Sequence, residues 1–265
     1  MPMKKDVVVV IPVYRQFTPS EKLSFRQCLK VLGGHDISVV QPESLDIDYQ
    51  VDGRVNFSVR KLDGRWFTSI EAYNSLMLST EFYEGYSGYE YILIYQLDAF
   101  VFHDSLKEWV EKGYDYVGAP WMPNSNFYQR IVGDFVRFVR RTIHPAGSTS
   151  RVTHAQMHYH VGNGGFSLRR VEKMHEVVTR FAGEISQLQF GKAKAAQEDV
   201  FLSVYISKRA GIRMPRWREA LQFSFENNPE RSLKVTGGKL PFGCHAWSKG
   251  NAWKDFWYRF IPQPE

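Results

Sequence analysis

The sequence predicts an α/β protein with a mostly parallel β-sheet and helices on both faces. Three observations support this prediction. The apolar, β-branched run at 7–11 indicates a buried strand, the segment 20–32 has helical spacing, and the run at 91–95 is again apolar and strand-sized. Strands that alternate with helices form parallel sheets, because each crossover packs a helix back onto a face of the sheet. The chain of 265 residues suits one large domain of this class.

Each predicted element follows from a local pattern. Ser20 is a plausible N-cap for the first helix, and Gly33 and Gly34 end it. The second strand is short, and the region before the next helix is irregular or contains short strands. In order, we expect strands at 6–13 and 37–40, a helix at 67–82, a strand within 89–102, a helix at 105–112, a strand at 114–117, and helices after Arg169 and after Gln197.

Two segments stand apart from this alternation. Residues 122–158 read as a helical and loop insertion, in which 130–141 carries an arginine-rich face beside an apolar one. Residues 249–265 form a basic tail rich in Trp, Tyr and Phe. We therefore expect a single domain over 1–265, with the insertion and the tail as its additions. Both segments suggest a peripheral contact with an anionic lipid surface.

Composition limits the protein classes. The formal net charge is +6, and the two cysteines, Cys28 and Cys244, form no metal-binding or disulfide pattern. The apolar runs are strand-sized, so no transmembrane helix or secretory leader is expected. These features favour a reducing, cytoplasmic location, with the inner face of the membrane as the place of any lipid contact.

Candidate chemical groups fall where ligands bind in such sheets, beyond the carboxyl ends of the strands. Asp98 follows the strand at 91–95 directly, and a carboxylate there suits Mg²⁺ or Mn²⁺. His245 is a second candidate ligand. Glu198 and Asp199 open an apolar stretch, where a helix N-terminus would keep a carboxylate ionised near neutral pH. The glycine-rich segment 162–165 allows the backbone to approach a ligand closely.

Together these segments resemble the GT-A glycosyltransferases. The run 7–14 resembles their first strand, which ends in Pro-x-Tyr, and Gln96-Leu-Asp98 resembles their Asp-x-Asp motif with Gln in place of the first Asp. The segment 162–169 is similar to their acceptor-side glycine-rich segment, Gln197-Glu-Asp199 to their x-Glu-Asp motif, and His245 to their C-terminal metal-binding His. The resemblance covers about 6–121 and 159–248 and is nearest to an uncharacterised glycosyltransferase-like family.

The resemblance implies a GT-A-like, Rossmann-like fold and transfer of a sugar from a nucleotide-sugar to a hydroxyl acceptor. The acceptor would be a carbohydrate or a lipid-linked sugar, in surface polysaccharide or glycoconjugate synthesis. Asp199 would be the catalytic base of an inverting reaction, supported by Glu198, and Asp98 and His245 would bind a divalent Mn or Mg. The nucleotide-sugar would contact Pro12, Tyr14, Arg15, Tyr73, Asn74, Gln96 and Leu97. The sugars would contact Trp121, Asn163, Gly164, Gly165 and Trp247.

Two other functions compete with this interpretation. A nucleotidyltransferase or another sugar-nucleotide-processing enzyme would normally carry a glycine-rich phosphate loop after the first strand, and 12–16 contains no glycine. A non-catalytic nucleic-acid-binding protein could use the basic segment and the aromatic tail. No nucleic-acid-binding motif supports it, and the acids expected at the crevice oppose it, so we expect no nucleic-acid partner.

Overall fold

The structure is a computed structural model that describes residues 4–49, 57–123, 152, 154–190 and 194–264. The strands are β1 (Lys5–Pro12), β2 (Asp36–Pro42), β3 (Ser58–Leu62), β4 (Tyr89–Tyr95), β5 (Phe100–Val101), β6 (Tyr116–Val117), β7 (Phe166–Arg170), β8 (Ser224–Phe225) and β9 (Gly243–Cys244). The helices of the first half are α1 (Pro19–Leu32), α2 (Ile70–Met77), α3 (Thr80–Glu84), α4 (Leu106–Glu111) and α5 (His154–Met157). Those of the second half are α6 (Val171–Arg180), α7 (Ala182–Phe190), α8 (Glu198–Val200), α9 (Ser207–Ala210), α10 (Trp217–Phe223), α11 (Pro229–Val235) and α12 (Asn251–Trp257).

The main sheet has the strand order β3-β2-β1-β4-β7-β6. The first four strands are parallel, and β7 and β6 are antiparallel to their neighbours. Strand β1 lies in the middle and is buried from Val7 to Pro12, which explains its unbroken apolar run. The predicted mostly parallel α/β sheet is therefore confirmed, with an antiparallel edge.

Two apolar clusters cover the two faces of this sheet. Successive side chains of a strand point to opposite faces. Accordingly Val8 and Val10 belong to one cluster with α3 and α6, whereas Val9 and Ile11 belong to the other with α1 and α4. A small second sheet, β5-β9-β8, lies beside the main one and carries a third cluster.

Several predicted boundaries were wrong. The N-cap of α1 is Thr18, not Ser20. Thr18 and Glu21 form a reciprocal capping box ahead of Pro19, a detail that single-residue cap preferences do not resolve. The expected helix at 67–82 is two helices, because the hydroxyl of Ser79 accepts the backbone N–H of Phe82 and starts α3 anew.

The structure describes the tail but only a small part of the predicted insertion. Most of the expected insertion, including the arginine-rich helix at 130–141, lies outside the described residues. The tail is a docked element: Trp257 is 0% exposed, and Phe256 and Ile261 are buried in the third cluster. Its large rings therefore stabilise the small sheet, with Trp253, Tyr258 and Phe260 partly buried against the same cluster. No helix in the part of the chain that the structure describes is long and apolar enough to cross a membrane.

Candidate functional site

The carboxyl ends of β1 and β4 and the start of β7 meet at one edge of the main sheet. Tyr95 at the end of β4 pairs with Phe166 at the start of β7. Immediately beyond this pair, the backbone N–H of Gln96 donates to the carbonyl of Gly165 over 2.8 Å. This contact brings the segment 96–98 against the glycine-rich segment 162–165, as the strand order requires.

Asp98 lies between two cationic side chains. Its Oδ1 is 2.9 Å from Nε2 of His245, and its Oδ2 is 2.6 Å from Nζ of Lys249. Burial alone would raise the pKa of Asp98, but His245 and Lys249 hold it well below its usual range. Burial alone would lower the pKa of His245, but Asp98 and Glu226 raise it to about 9. Asp98 is thus a fixed negative charge, already paired on both oxygens.

Asn163 and Gly165 hold His245 in place. The side-chain oxygen of Asn163 accepts from the backbone N–H of Gly165 over 2.9 Å, which turns the amide nitrogen toward Nδ1 of His245, also 2.9 Å away. Asn163 has φ 61°, a left-handed conformation that Asn tolerates better than most residues. A Cβ at Gly165 would lie 2.0 Å from Nε2 of His245, so only glycine fits there.

A second cluster lies on the other side of the same glycines. Arg169 of β7 is fully buried and its Nη2 donates to Oε1 of Glu198 over 3.1 Å, while Oε2 lies 3.0 Å away in the same ion pair. It also donates to the hydroxyl of Tyr83 and to the carbonyl of Gly164. A Cβ at Gly164 would lie 1.6 Å from Oε1 of Glu198. Gly164 and Gly165 therefore let two charged clusters approach one short loop.

Asp199 is held beside this ion pair in an unusual electrostatic state. Burial, followed by the neighbouring charges of Glu198 and Glu226, raises the pKa of Asp199 to about 7. Its Oδ1 accepts the N–H of Val200 over 2.7 Å. The expectation that a helix N-terminus keeps Asp199 ionised was wrong. The helix that follows is only Glu198–Val200 and continues as a π-helical turn at Phe201–Tyr205, so burial outweighs any dipole.

The residues around Asp98 fit a divalent cation. Oδ1 of Asp98 and Oε1 of Gln96 lie 2.9 and 3.2 Å from Nε2 of His245. These are contacts of a protonated His245, whose pKa is about 9, and a divalent cation held by the same three side chains would replace that proton. No group of three or more His, Cys, Asp or Glu side chains suited to a metal occurs among the described residues. The candidate metal site therefore consists of Asp98, His245 and the amide of Gln96. Oxygen atoms of the substrate would supply the remaining ligands.

The residues expected to contact the nucleotide differ in their exposure and in the contacts that they already make. Tyr14 is 54% exposed beyond β1 and is free to contact a ligand, whereas Pro12 and Leu97 are buried. Arg15 is exposed and forms a two-contact ion pair with Glu21. Asn74 has a positioning contact, since its side-chain oxygen accepts the N–H of Glu198 over 3.0 Å. Tyr73 has a buried hydroxyl that faces Gln96, and burial raises its pKa well above the ordinary range.

The two tryptophans expected to form a sugar wall are packing residues. Trp247 is 0% exposed and packs edge-on against Phe100 in the third cluster. Trp121 is buried against the backbone of Gly162 and in a small cluster with Val200. Both rings are covered by the second sheet and the 159–163 segment, and their contact with a sugar stays a prediction.

Three functional candidates escaped the sequence analysis. Lys249 follows His245 by four residues, and this spacing was the available signal for its contact with Asp98. Glu226 follows β8 and lies 3.4 Å from Nδ1 of His245, a strand-end position like that of Asp98. Arg169 is the last residue of the glycine-rich segment, and the sequence analysis gave it no role of its own. The ion pairs that they form join residues 19, 29 and 151 positions apart in the sequence, for Glu226, Arg169 and Lys249 respectively.

A family model matches most of the chain. Residues 56–245 match the family described as "Protein of unknown function (DUF5672)". No curated protein sequence matches the chain.

The fold is similar to solved glycosyltransferases. The galactosyltransferase LgtC, solved with donor and acceptor sugar analogs, has a TM-score of 0.55 at 13% identity over 90% of this chain and 86% of its own. GlyE of Streptococcus pneumoniae TIGR4 has a TM-score of 0.54 at 10% identity, over 98% of this chain and 61% of its own. Mouse xyloside xylosyltransferase 1 has a TM-score of 0.51 at 10% identity, over 91% of this chain and 97% of its own. The chain belongs to the DUF5672 family, and its fold is that of the GT-A glycosyltransferases.

Proposed function

We propose that this protein is a glycosyltransferase that moves a sugar from a nucleotide-sugar to a hydroxyl acceptor with inversion at the anomeric carbon. One observation carries the proposal. In one glycine-rich loop, Gly164 closely approaches Glu198, the chain neighbour of Asp199, and Gly165 closely approaches His245, the ion-pair partner of Asp98. Cations keep Asp98 ionised, whereas Asp199 has a pKa of about 7. Sugar transfer needs both, a charged group for the diphosphate end of the donor and a proton acceptor for the incoming hydroxyl.

The diphosphate end of the donor is assigned to the Asp98 cluster. Asp98, His245 and the amide oxygen of Gln96 would hold Mn²⁺ or Mg²⁺, and such an ion supplies positive charge to the diphosphate that leaves. Lys249 adds a second cation at the same place, since its ammonium is 2.6 Å from Asp98. Tyr14, exposed beyond β1, is the candidate to stack on the nucleoside base, and Tyr73 presents its buried hydroxyl from α2.

Asp199 is assigned the proton transfer. As the acceptor oxygen forms its bond to the anomeric carbon, its proton passes to the Asp199 carboxylate, and the bond from that carbon to the diphosphate breaks with its electron pair. A pKa near 7 suits a base that must accept a proton near neutral pH. Glu198 supports this role through its ion pair with Arg169, which fixes the start of the segment that carries Asp199.

The acceptor and the location are proposed in outline. A carbohydrate or lipid-linked sugar is the expected acceptor, in surface polysaccharide or glycoconjugate synthesis at the cytoplasmic side of a membrane. The basic segment 130–141 that would contact lipid lies outside the described residues, so its role rests on sequence alone. The tail packs in the third cluster, and its contact with lipid stays a prediction.

Nucleoside diphosphate binding tests the proposal directly. We expect UDP or GDP with Mn²⁺ to raise the free energy of unfolding by about 2.7 kcal/mol at one hundred times its Kd. Asp98→Ala should abolish this stabilisation and leave the fold intact. The matched control is Asp104→Ala, which removes a loop carboxylate that pairs with His35 instead.

Two results would contradict the proposal. One is the absence of stabilisation by any nucleoside diphosphate, with and without metal. The other is an Asp98→Ala variant that binds as well as the wild type.

A further inference from the structure

A cavity of about 420 Å³ lies beside the candidate site, between the segment 159–161 and the start of α10. Its lining includes Tyr159, Val161, Trp217 and two arginines, Arg216 and Arg218. This volume is within the range of small-molecule sites, which are typically apolar and aromatic with a few directed polar groups. The groups assigned above to the donor and to the base do not line it.

The aromatic part of the cavity is fixed by strained backbone. Tyr159 has φ 57°, a conformation that is a genuine outlier for a bulky residue. Its N–H donates to the carbonyl of Trp121 over 2.9 Å, and its hydroxyl accepts from Arg231 over 2.5 Å. Its ring centroid lies 4.9 Å from that of Trp217. Strain of this kind persists where the surroundings hold it, and it clusters at ligand sites.

The charged part of the cavity is cationic and lacks acids. Arg216 and Arg218 are exposed, and no carboxylate pairs with either among the described residues. The nearest acid in sequence, Glu219, is committed elsewhere, with Oε1 2.9 Å from Lys112 and Oε2 2.9 Å from the hydroxyl of Tyr114. The guanidinium of Arg218 lies over the Trp217 ring at 5.0 Å. Arginine presents a planar donor fork that matches carboxylate and phosphate groups.

The cavity is within reach of the reacting groups. Val161, on its wall, is two residues from Asn163, a distance of at most ~7 Å along the chain. Asn163 in turn contacts His245 at 2.9 Å. One short chain segment therefore joins the wall of the cavity to the Asp98 cluster.

We propose that this cavity is an acceptor subsite for a sugar that carries a negative charge. The rings of Tyr159 and Trp217 form the wall for the sugar, and Arg216 and Arg218 bind its carboxylate or phosphate. That the bound sugar is an acceptor rests on the proposed glycosyl transfer. That it carries a negative charge rests on the cavity alone.

Binding of four small probes tests this proposal on the full chain. Glucuronate and glucose 6-phosphate carry a sugar ring and a charge, glucose carries the ring alone, and inorganic phosphate carries the charge alone. Affinities are measured by ligand-observed NMR in the presence of saturating UDP, which keeps the probes from the nucleotide end of the site. We expect at least one charged sugar to bind at least tenfold more tightly than either glucose or phosphate. The preferred one identifies the charged group as carboxylate or phosphate.

Variants locate the binding. Arg216→Gln with Arg218→Gln should weaken the charged sugar at least tenfold and leave the weak glucose binding unchanged, and Trp217→Leu should weaken both sugars. The matched control is Arg180→Gln, which removes an exposed arginine that lies over Phe181 in the same manner, at 5.0 Å. Unchanged melting temperatures show that the variants fold, and Arg216→Lys with Arg218→Lys offers partial rescue if they do not.

The proposal is overturned if glucose binds as tightly as the charged sugars, if phosphate alone matches glucose 6-phosphate, or if the arginine variant binds as the wild type does. Its failure is distinct from that of the proposed function. Loss of charged-sugar binding with intact nucleoside diphosphate binding rejects the subsite alone. Charged-sugar binding without any nucleoside diphosphate binding rejects sugar transfer and with it the acceptor role.

Discussion

Asp98 and Asp199 adjoin the same pair of glycines, yet their surroundings are opposite. Asp98 is paired with His245 and Lys249, which hold its pKa well below the ordinary range. Asp199 is partly buried beside Glu198 and Glu226, and its pKa is raised to about 7. The cation of the described residues that lies next to it, Arg169, is already paired with Glu198.

The comparison shows how one loop can serve two chemical tasks. A carboxylate that stays ionised at every physiological pH can attract a cation and a diphosphate, whereas one that titrates near neutrality can exchange a proton. Environments that push the pKa values of two carboxylates apart are a recognised sign of divided roles. The predictions below test each half of this contrast.

The largest effect is expected on turnover when Asp199 loses its basicity. Asp199→Asn should reduce turnover by ~10²–10⁴ with near-normal donor binding, because general-base assistance is worth about that much. Wild-type turnover should rise with pH and reach half its maximum near the pKa of about 7. Steady-state kinetics across pH 5–9, with nucleoside diphosphate affinity as the control, measures both.

Glu198→Gln should lower turnover less than Asp199→Asn, since Glu198 has the supporting role. Wild-type turnover in Asp199→Asn, with chemistry rate-limiting, would remove Asp199 as the base and with it the main support for inversion.

The next effect is on stability, through the ion pair that supports Asp199. Arg169→Met leaves Glu198 buried and unpaired, so the free energy of unfolding should fall by ~3–5 kcal/mol. Denaturant unfolding measures the loss. Arg209→Met is the matched control, since its partner Glu184 is at the surface and such pairs contribute ~1 kcal/mol or less.

The double variant Arg169→Met with Glu198→Met should recover part of the loss, because no charge is then left unpaired. Equal losses for Arg169→Met and Arg209→Met would show that the buried pair has no special role.

A smaller effect is expected at Asp98 when its ammonium partner is removed. Lys249→Met frees Oδ2 of Asp98 from a cation 2.6 Å away. We expect Mn²⁺ to bind the nucleotide-free protein about tenfold more tightly, a change of ~1.4 kcal/mol. Electron paramagnetic resonance of free Mn²⁺ measures the affinity, and Lys239→Met, at an exposed position, is the control. An unchanged affinity would mean that Lys249 and a metal do not compete for Asp98.

A separate effect is the pH dependence of stability at Asp199. Because the folded state raises its pKa from 3.8 to about 7, the native protein holds this proton more tightly than the unfolded chain. The group therefore lowers stability as pH rises from about 4 to about 7. Asp199→Asn should thus be more stable than the wild type by up to about 4 kcal/mol at pH 8, at 1.36 kcal/mol per pKa unit, and the difference should shrink toward pH 4. Thermal unfolding at both pH values checks it, and a constant difference would contradict the raised pKa.

Much of the fold follows from local patterns in the sequence. The apolar runs at 7–11 and 91–95 require strands covered on both faces, and their alternation with helices requires a parallel sheet. That arrangement places Asp98 at the binding edge. The glycines at 164 and 165 mark a close approach, although the sequence does not say of what.

The environment of each side chain needed the tertiary structure. The residues near Asp98 in the sequence do not predict its contact with Lys249, which lies 151 positions further along the chain. The residues near Glu198 likewise do not predict its ion pair with Arg169. The sequence predicts a sugar contact for Trp247, but it does not show that the cluster around the second sheet buries this ring.

The sequence by itself determined the order of strands and helices and the edge of the sheet where Asp98 lies, because periodicity and turn residues act over a few positions. Only the tertiary structure decided that Asp98 is held by cations and that Asp199 is partly buried among acids. The physical reason is that burial and charge depend on neighbours brought together by distant parts of the chain, and these set the pKa of a carboxylate more strongly than its adjoining residues do.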